Sequence, residues 1–403
     1  MQTHLSEQAR ALPGAADAER ILRSCVHCGF CNATCPTYQL LGDELDGPRG
    51  RIYQIKQVLE GDAATPDVQR HLDRCLSCRN CETTCPSGVQ YHDLLDIGRA
   101  VVDQQVPRPA GQRWLRAGLR QLAAHPRAFK AAVAVGQRLR PVLPAPLAAK
   151  LPPPPAGLQR PTVRHARTVL MLEGCVQPGL APGTNAAAAR VLDRLGISVL
   201  PVAAGCCGAL DYHLGDPTRG LARARRNIDA WWPALQAGAE AIVQTASGCG
   251  AFAKDYGHLL AGDPQYAAKA RRVSECALDL VQVLAREPLQ ALATHRGPRL
   301  AFHCPCTLQH AQRLGGTAEA LLRQLGFQLT AVPDGHLCCG SAGTYSLTQP
   351  ALARQLRDQK MDALESGQPQ LIATANIGCQ NHLNSAGRTP VVHWIEVLDQ
   401  ALA

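Results

Sequence analysis

The chain has 403 residues, enough for two or three domains, and its 46% hydrophobic and 18% charged residues are those of a globular protein rather than a disordered or fibrous one. Its 18 cysteines do not fit a secreted disulfide scaffold, because MQTHLSEQARALPGAADAER has no apolar leader segment and export is not expected. No run of 18 apolar residues occurs, so no membrane-spanning helix is expected, and the net charge of +9 is modest.

In chain order, residues 1–106 read as a helical module with eight cysteines in two groups. Between the groups, PRGRIYQIKQVLEG places Ile52, Ile55, Val58 and Leu59 on one helical face. TPDVQRHLDRC follows with Thr65 as an N-cap and Pro66 at the first helical position. Residues 107–165 form a basic, proline-rich spacer. From Gln104 to Leu172 there are twelve Lys and Arg and no Asp or Glu, which leaves the rest of the chain at −3. Trp114, Leu115, Leu119 and Leu122 predict an amphipathic basic helix here, and LPPPPAG predicts an extended segment after it. A helix packed on the protein surface is the plain reading. Contact with an anionic membrane or an acidic partner face is the sharper one.

The remainder is an internal duplication, residues 166–290 and 297–403. The first copy runs RTVLMLEGC, AAAARVLDRLG, ISVLPVAAGCCGA, AEAIVQTASGCG and ECALDLVQVLA. The second runs PRLAFHCPC, TAEALLRQLG, FQLTAVPDGHLCCGSAG, PQLIATANIGCQ and VVHWIEVLDQAL. Short apolar strands alternating with helices predict an α/β unit in each copy, with cysteines just beyond strand ends, where such folds build sites. The fold class is therefore α+β multidomain: a helical two-cluster ferredoxin module followed by two duplicated α/β Cys-Cys-Gly domains.

The spacing C-x2-C-x2-C-x3-C-P occurs at Cys25, Cys28, Cys31 and Cys35, and again at Cys75, Cys78, Cys81 and Cys85. Three cysteines at intervals of three can wrap one face of an iron–sulfur cube and leave one iron for a thiolate from elsewhere. In two-cluster ferredoxins the fourth cysteine of each run serves the other cluster. The expected ligand sets are thus Cys25, Cys28, Cys31 and Cys85 for one [4Fe–4S] cluster, and Cys75, Cys78, Cys81 and Cys35 for the other. Zinc uses single CxxC pairs, but two complete runs with a trailing proline favour the clusters. His27 and Arg79 lie inside the cysteine loops, where they either tune potential or simply face solvent.

In the duplicated region the thiols are Cys175, Cys206, Cys207 and Cys249 in the first copy, and Cys306, Cys338, Cys339 and Cys379 in the second. The interval to the adjacent pair is 31 residues from Cys175, 32 from Cys306 and 34 from Cys304, which favours Cys306 as the counterpart. Cys304 and Cys276 are then expected as buried small side chains. A tight turn ending in glycine can aim two adjacent thiols at one centre. Two alternatives stay open: a further cluster or metal in one or both copies, or reduced thiols with a structural role.

The order of two ferredoxin motifs, a basic spacer and two Cys-Cys-Gly units resembles the iron–sulfur subunits of bacterial glycolate oxidase. There is wider likeness to anaerobic glycerol-3-phosphate dehydrogenase, lactate-utilisation and heterodisulfide reductase subunits. ASGCGAFAKDYG, HCPCTLQHAQ and CCGSAGTYSLTQP carry the narrower likeness. It implies an electron-transfer subunit that takes electrons from partner flavoprotein subunits oxidising glycolate to glyoxylate and passes them to a quinone or other acceptor. The expected place is cytoplasmic, peripheral on the inner face of the cytoplasmic membrane. No G-x-G-x-x-G after a strand suggests a flavin or nicotinamide site, so no flavin of its own is expected. Alternatives are the same role for a related 2-hydroxy acid or glycerol-3-phosphate dehydrogenase, or a catalytic Cys-Cys-Gly cluster. The fifth thiolate of the heterodisulfide reductase unit is missing, since Cys249 and Cys379 are not followed by CxxC. No nucleic acid partner is expected: Trp114 and Phe129 are the only large rings in the basic stretch.

Overall fold

The computed structural model describes residues 1–144, 151, 158–292 and 297–402. The four successive prolines of the spacer lie outside the described residues. By packing, the chain divides into two compact units, Met1–Arg116 with His336–Leu356, and Ala117–Gly335 with Arg357–Ala403. The second copy of the repeat therefore contributes its Cys-Cys-Gly stretch to the N-terminal unit. No helix among the described residues is long and apolar enough to cross a membrane.

The N-terminal unit is helical, built on α1 (Ala15–Ser24), α2 (Pro48–Glu60), α3 (Pro66–Asp73) and α4 (Tyr91–Gln105). The 3.6-residue spacing in α2 buries Ile52, Ile55, Val58 and Leu59 on one side. Thr65 caps α3 as its sequence suggests, its hydroxyl accepting from Val68 N at 3.3 Å, with Pro66 at the first position. These helices share one core with Ile21, Leu22, Leu94 and Leu95. Helices α2 and α4 cross closely because position 98 has no side chain: a Cβ there would lie 2.7 Å from Ile55 Cγ1.

After the N-terminal helices come α5 (Ala110–Ala123), where the basic amphipathic helix is expected, and α6 (Pro126–Leu139). Trp114 is 78% exposed, and Leu115, Leu122, Val135 and Leu139 are also exposed.

The second unit holds two parallel sheets. The first has β1 (Arg167–Leu172), β2 (Ile197–Leu200), β3 (Ile242–Gln244) and β4 (Ala277–Asp279) in the order β2-β1-β3-β4. The second has β5 (Leu300–His303), β6 (Leu371–Thr374) and β7 (Val391–His393) in that order. All pairings are parallel, with Leu170 opposite Ile242 and Phe302 opposite Ala373. Alternation along β1 sends Val169 and Met171 into one core and Leu170 and Leu172 into another, so both faces are covered.

The two sheets share the larger core, in which Val169 and Val243 join Phe302, Ala373 and Trp394. Polar contacts reinforce this join: Ser247 Oγ lies 2.8 Å from Thr307 Oγ1, and His393 Nε2 2.7 Å from the Thr245 carbonyl. The copies differ at one edge. The strand expected in FQLTAVPDGHL shrinks to a single bridge from Leu329 to Leu300.

Replacing Gly98 by Ala tests the helix crossing. Helix propensity alone favours Ala by about 1 kcal/mol. Ile55 is fully buried and has no room to yield, so a net loss of about 1–3 kcal/mol is expected in denaturant unfolding of the holoprotein. A stabilised variant would show that the helices can move apart.

Candidate metal centres

The two ferredoxin-like runs fold alike. Cys25 follows α1 and Cys75 follows α3; a short helical turn then carries Cys31 in Phe30–Ala33 and Cys81 in Asn80–Thr84. Each loop needs left-handed backbone at the same two steps, at His27 (φ 59°) and Gly29 (φ 86°), and at Ser77 (φ 50°) and Arg79 (φ 61°). A non-glycine residue adopts this conformation at a cost of about 1–2 kcal/mol. Paid three times here, it curls each loop so that its sulfurs face inward. The side chain of His27 is exposed, whereas Arg79 is mostly covered and pairs with Glu82 at 3.0 Å.

The sulfurs gather in two crossed groups. Burial pushes the Cys25 thiol up, and negative charge on Cys85 and Cys28 adds to this. Cys31 is pushed up to about 11 by burial, with Cys25, Cys85 and Cys28 adding. In the other group burial raises Cys35, with Cys78 contributing, and holds Cys81 well above the ordinary thiol value, reinforced by Cys78, Cys75 and Cys35. Each run's fourth cysteine thus stands with the other run. Four soft sulfur donors that repel one another when ionised suit an iron–sulfur cluster, which draws off that charge.

The two groups differ in surroundings. The Cys25 group is open: Cys28 is exposed, and Val26 and Phe30 are 68% and 62% exposed around it. The Cys75 group is sheltered beside a buried guanidinium. Arg51, 1% exposed, donates to the His71 carbonyl at 2.8 Å, to Thr37 Oγ1 at 3.2 Å and to Asp46 Oδ1 at 3.3 Å. Burial opposes its charge, but Cys75, Tyr91, Cys35 and Asp46 more than offset that and hold it firmly protonated. Thr37 Oγ1 lies 3.3 Å from Cys35 Sγ. Cys75 Sγ accepts from Ser77 N at 3.4 Å and from the Tyr91 hydroxyl at 3.7 Å. Tyr345, from the stretch after the second Cys-Cys-Gly, is buried within electrostatic reach of Arg51, Cys75 and Cys338, and its hydroxyl makes no hydrogen bond.

In the first Cys-Cys-Gly copy, Cys175 follows β1 and Cys249 sits on a helix (Ser247–Lys254) after β3. The intervening pair Cys206 and Cys207 ends in Gly208. The sulfurs form one chain of contacts, Cys175 to Cys206, Cys206 to Cys207 and Cys207 to Cys249. Cys175 and Cys207 are held well above the ordinary thiol value. Cys206 is lowered, chiefly by hydrogen bonds from Cys175 and Cys207 and less by Arg223. The pair is braced from behind: Asn227 donates to the Cys206 carbonyl at 3.0 Å, and the Tyr256 hydroxyl to the Cys207 carbonyl at 2.5 Å. Gly208 has φ 103°, and a Cβ there would lie 2.4 Å from the Gly220 carbonyl oxygen. This four-sulfur set also fits a metal cluster.

The second copy's thiols fall in both units, Cys306 and Cys379 in one, and Cys338 and Cys339 in the other. Gly340 repeats the geometry of Gly208, with φ 84° and a Cβ position 2.7 Å from the Ala353 carbonyl oxygen. Cys379 Sγ accepts from Asn376 at 3.5 Å, and a ring nitrogen of His303 lies within 4.8 Å of it. His303 Nδ1 lies 2.9 Å from Thr374 Oγ1 while Nε2 makes no hydrogen bond, and burial lowers its pKa to about 3, leaving the ring neutral. Cys276 and Cys304 pack in hydrophobic cores.

Arg51, Thr37, Tyr91 and His303 are absent from the residues that spacing picks out. Only the word HCPC, placing His303 beside the cysteines, offered a sequence signal; a lone Arg in a helical run offered none.

Residues 21–89 match the 4Fe-4S dicluster domain, and residues 169–253 and 300–384 match the cysteine-rich domain. The chain is 67% identical to the glycolate oxidase iron-sulfur subunit of Escherichia coli (strain K12), covering 100% of this chain and 99% of that one. It is 31% identical to the probable glycolate oxidase iron-sulfur subunit of Bacillus subtilis (strain 168) over 94% of each. Lactate utilization protein A of Geobacillus kaustophilus (strain HTA426) is 30% identical over 53% of this chain and 90% of its own length.

Two glycines separate backbone strain from crowding. Gly196 has φ 73° and nothing within 4 Å of a Cβ position, unlike Gly208. Gly196→Ala should cost about 1 kcal/mol from strain alone, and Gly208→Ala about 3 kcal/mol or more, read by thermal unfolding. Equal losses would mean that the Gly220 carbonyl yields.

Proposed function

Because the chain belongs to the family of glycolate oxidase iron–sulfur subunits, we propose that it carries electrons away from a partner flavoprotein that oxidises glycolate to glyoxylate, towards a quinone or another acceptor. It is an electron-transfer component of an oxidoreductase complex. The observation that carries the finer reading is the crossing of the two sulfur groups. Cys25, Cys28, Cys31 and Cys85 would hold one [4Fe–4S] cluster, and Cys75, Cys78, Cys81 and Cys35 the other. Each cluster, when bound, takes up or releases one electron at a potential set by its surroundings. The chain's part is to keep four sulfurs converged at each site and to control water and charge around them. Substrate oxidation falls to the partner, so glycolate enters this reading through the relatives' names.

The first Cys-Cys-Gly copy supports a third site on Cys175, Cys206, Cys207 and Cys249. A second reading, service to a lactate-type dehydrogenase, is favoured by the likeness to lactate utilization protein A. The substrate profile of the co-purifying flavoprotein separates the two.

Iron analysis and EPR of anaerobically purified protein test the cluster reading. About eight irons per chain are expected from the ferredoxin-like module, and about four more if the third site is filled. Cys35→Ser should remove chiefly the signal of the Cys75 group, although it lies in the first run. Loss confined to the Cys25 group would overturn the crossed assignment.

A peripheral contact with an anionic lipid surface fits α5 and α6. Trp114, Leu115 and Val135 are exposed among the exposed cations Arg113, Arg127, Lys130, Arg138 and Arg140. Arg116 is otherwise engaged, paired with Asp73 at 3.2 Å. The variant Arg113→Glu with Trp114→Glu shifts the local charge by three units towards negative, so at roughly 1 kcal/mol per surface charge it should bind vesicles containing anionic lipid about a hundredfold less well. Equal binding by variant and wild type would remove the membrane role.

A further inference from the structure

We propose that Arg51 sets an order of potentials: its sealed guanidinium makes the group held by Cys35, Cys75, Cys78 and Cys81 easier to reduce than the group held by Cys25, Cys28, Cys31 and Cys85. This rests on the two-cluster reading above. The step concerned is addition of one electron from a reduced flavin or a chemical reductant. No bond is made or broken in the protein, and Arg51 keeps its proton throughout.

Burial by itself acts in the opposite direction, because extra negative charge costs more in a dry site than in a wet one. Local charge and hydrogen bonding therefore decide. Around the sheltered group stand three guanidiniums. Arg51 is beside Cys35 and Cys75, Arg74 pairs with Asp46 at 2.7 Å, and Arg99 donates to the Cys75 carbonyl at 2.9 Å. Asp46 is the buried carboxylate within this network, the exposed Asp43 lies within 4.8 Å of it, and the nearby Glu82 is matched by Arg79. The balance is positive and largely out of water, so salt screens it little.

Around the open group there is less positive charge, a half-buried ammonium and one guanidinium neutralised by a carboxylate. The Met1 ammonium donates to the Cys25 carbonyl at 2.6 Å, and Arg49 is tied to Glu44 at 2.6 Å. The sulfurs differ in the same sense. Those of the sheltered group accept from Ser77 N, the Tyr91 hydroxyl and Tyr38 N, and Thr37 Oγ1, whose proton goes to the Asp46 carbonyl at 2.8 Å, lies 3.3 Å from Cys35 Sγ. In the open group Cys25 accepts from His27 N and Cys31 from its own backbone N–H, with no hydroxyl donor among them. Hydrogen bonds to cluster sulfurs and nearby positive charge both favour the reduced state.

The test is an EPR-monitored redox titration of the anaerobically purified full chain. A soluble paramagnetic relaxing agent identifies the signal from the open group, which contains the exposed Cys28. In wild type the sheltered group should have the higher midpoint. Arg51→Met should lower that midpoint by 59 mV or more, a tenfold change for one electron, with the other midpoint nearly still. Arg51→Lys should keep most of the separation. A purely structural role would change iron content or melting temperature and leave the separation alone.

A reversed order in wild type overturns the proposal, as does an unchanged separation in Arg51→Met with both clusters present. Should Arg51→Met fail to retain iron, the wild-type order and Arg51→Lys decide the question. A wild-type chain holding fewer than two clusters would sink the two-cluster reading, and this proposal with it.

Discussion

Sulfurs that must be close together, negative and dry repel one another, and nearly every local feature of this chain answers that constraint. In each ferredoxin-like loop the backbone passes twice through the left-handed region, at His27 and Gly29 and again at Ser77 and Arg79, so that three sulfurs turn inward. Such backbone is held only where its surroundings over-determine it. Here the helices on either side do so, burying Ile21, Leu22 and Leu72 in one core. Without a metal, burial and mutual repulsion hold Cys31 and Cys81 protonated. Metal binding exchanges those protons for a cation.

The duplicated region answers the same constraint with different means. Parallel strands end in loops that present cysteines, and each Cys-Cys-Gly turn closes on a glycine, Gly208 or Gly340, that passes nearer a neighbouring carbonyl than a side chain would allow. The copies are joined through a common core on one side of the first sheet, where Val169 and Phe302 both pack. This explains why neither copy is a free-standing domain. It also lets one copy keep four sulfurs in contact while the other distributes its cysteines between the two packing units.

Much of this was legible because it is local. Helix α2, the cap at Thr65 and the alternation of strand and helix follow from periodicity and a few turn residues, and the spacing of the cysteines names the chemistry. The likeness to glycolate oxidase subunits likewise comes from contiguous words of sequence. What escaped was non-local. Arg51 sits in a helical run with no sign of burial, yet it reaches Thr37, Asp46 and His71 from a position beside Cys35 and Cys75. The strand expected after Gly326 became one bridge at Leu329, since a strand at a sheet edge forms only as far as its neighbour offers partners.

By itself, the sequence determined the grouping of the cysteines, the doubling of both motifs, and the class of elements that carry them, because spacing and period are properties of neighbouring residues. Only the tertiary structure decided which sulfurs lie open and which lie sealed beside a guanidinium. It alone also placed residues 336–356 with the N-terminal helices. The physical reason is that charge and hydration at a site depend on everything within a few ångströms, and those neighbours come from stretches far apart in the chain.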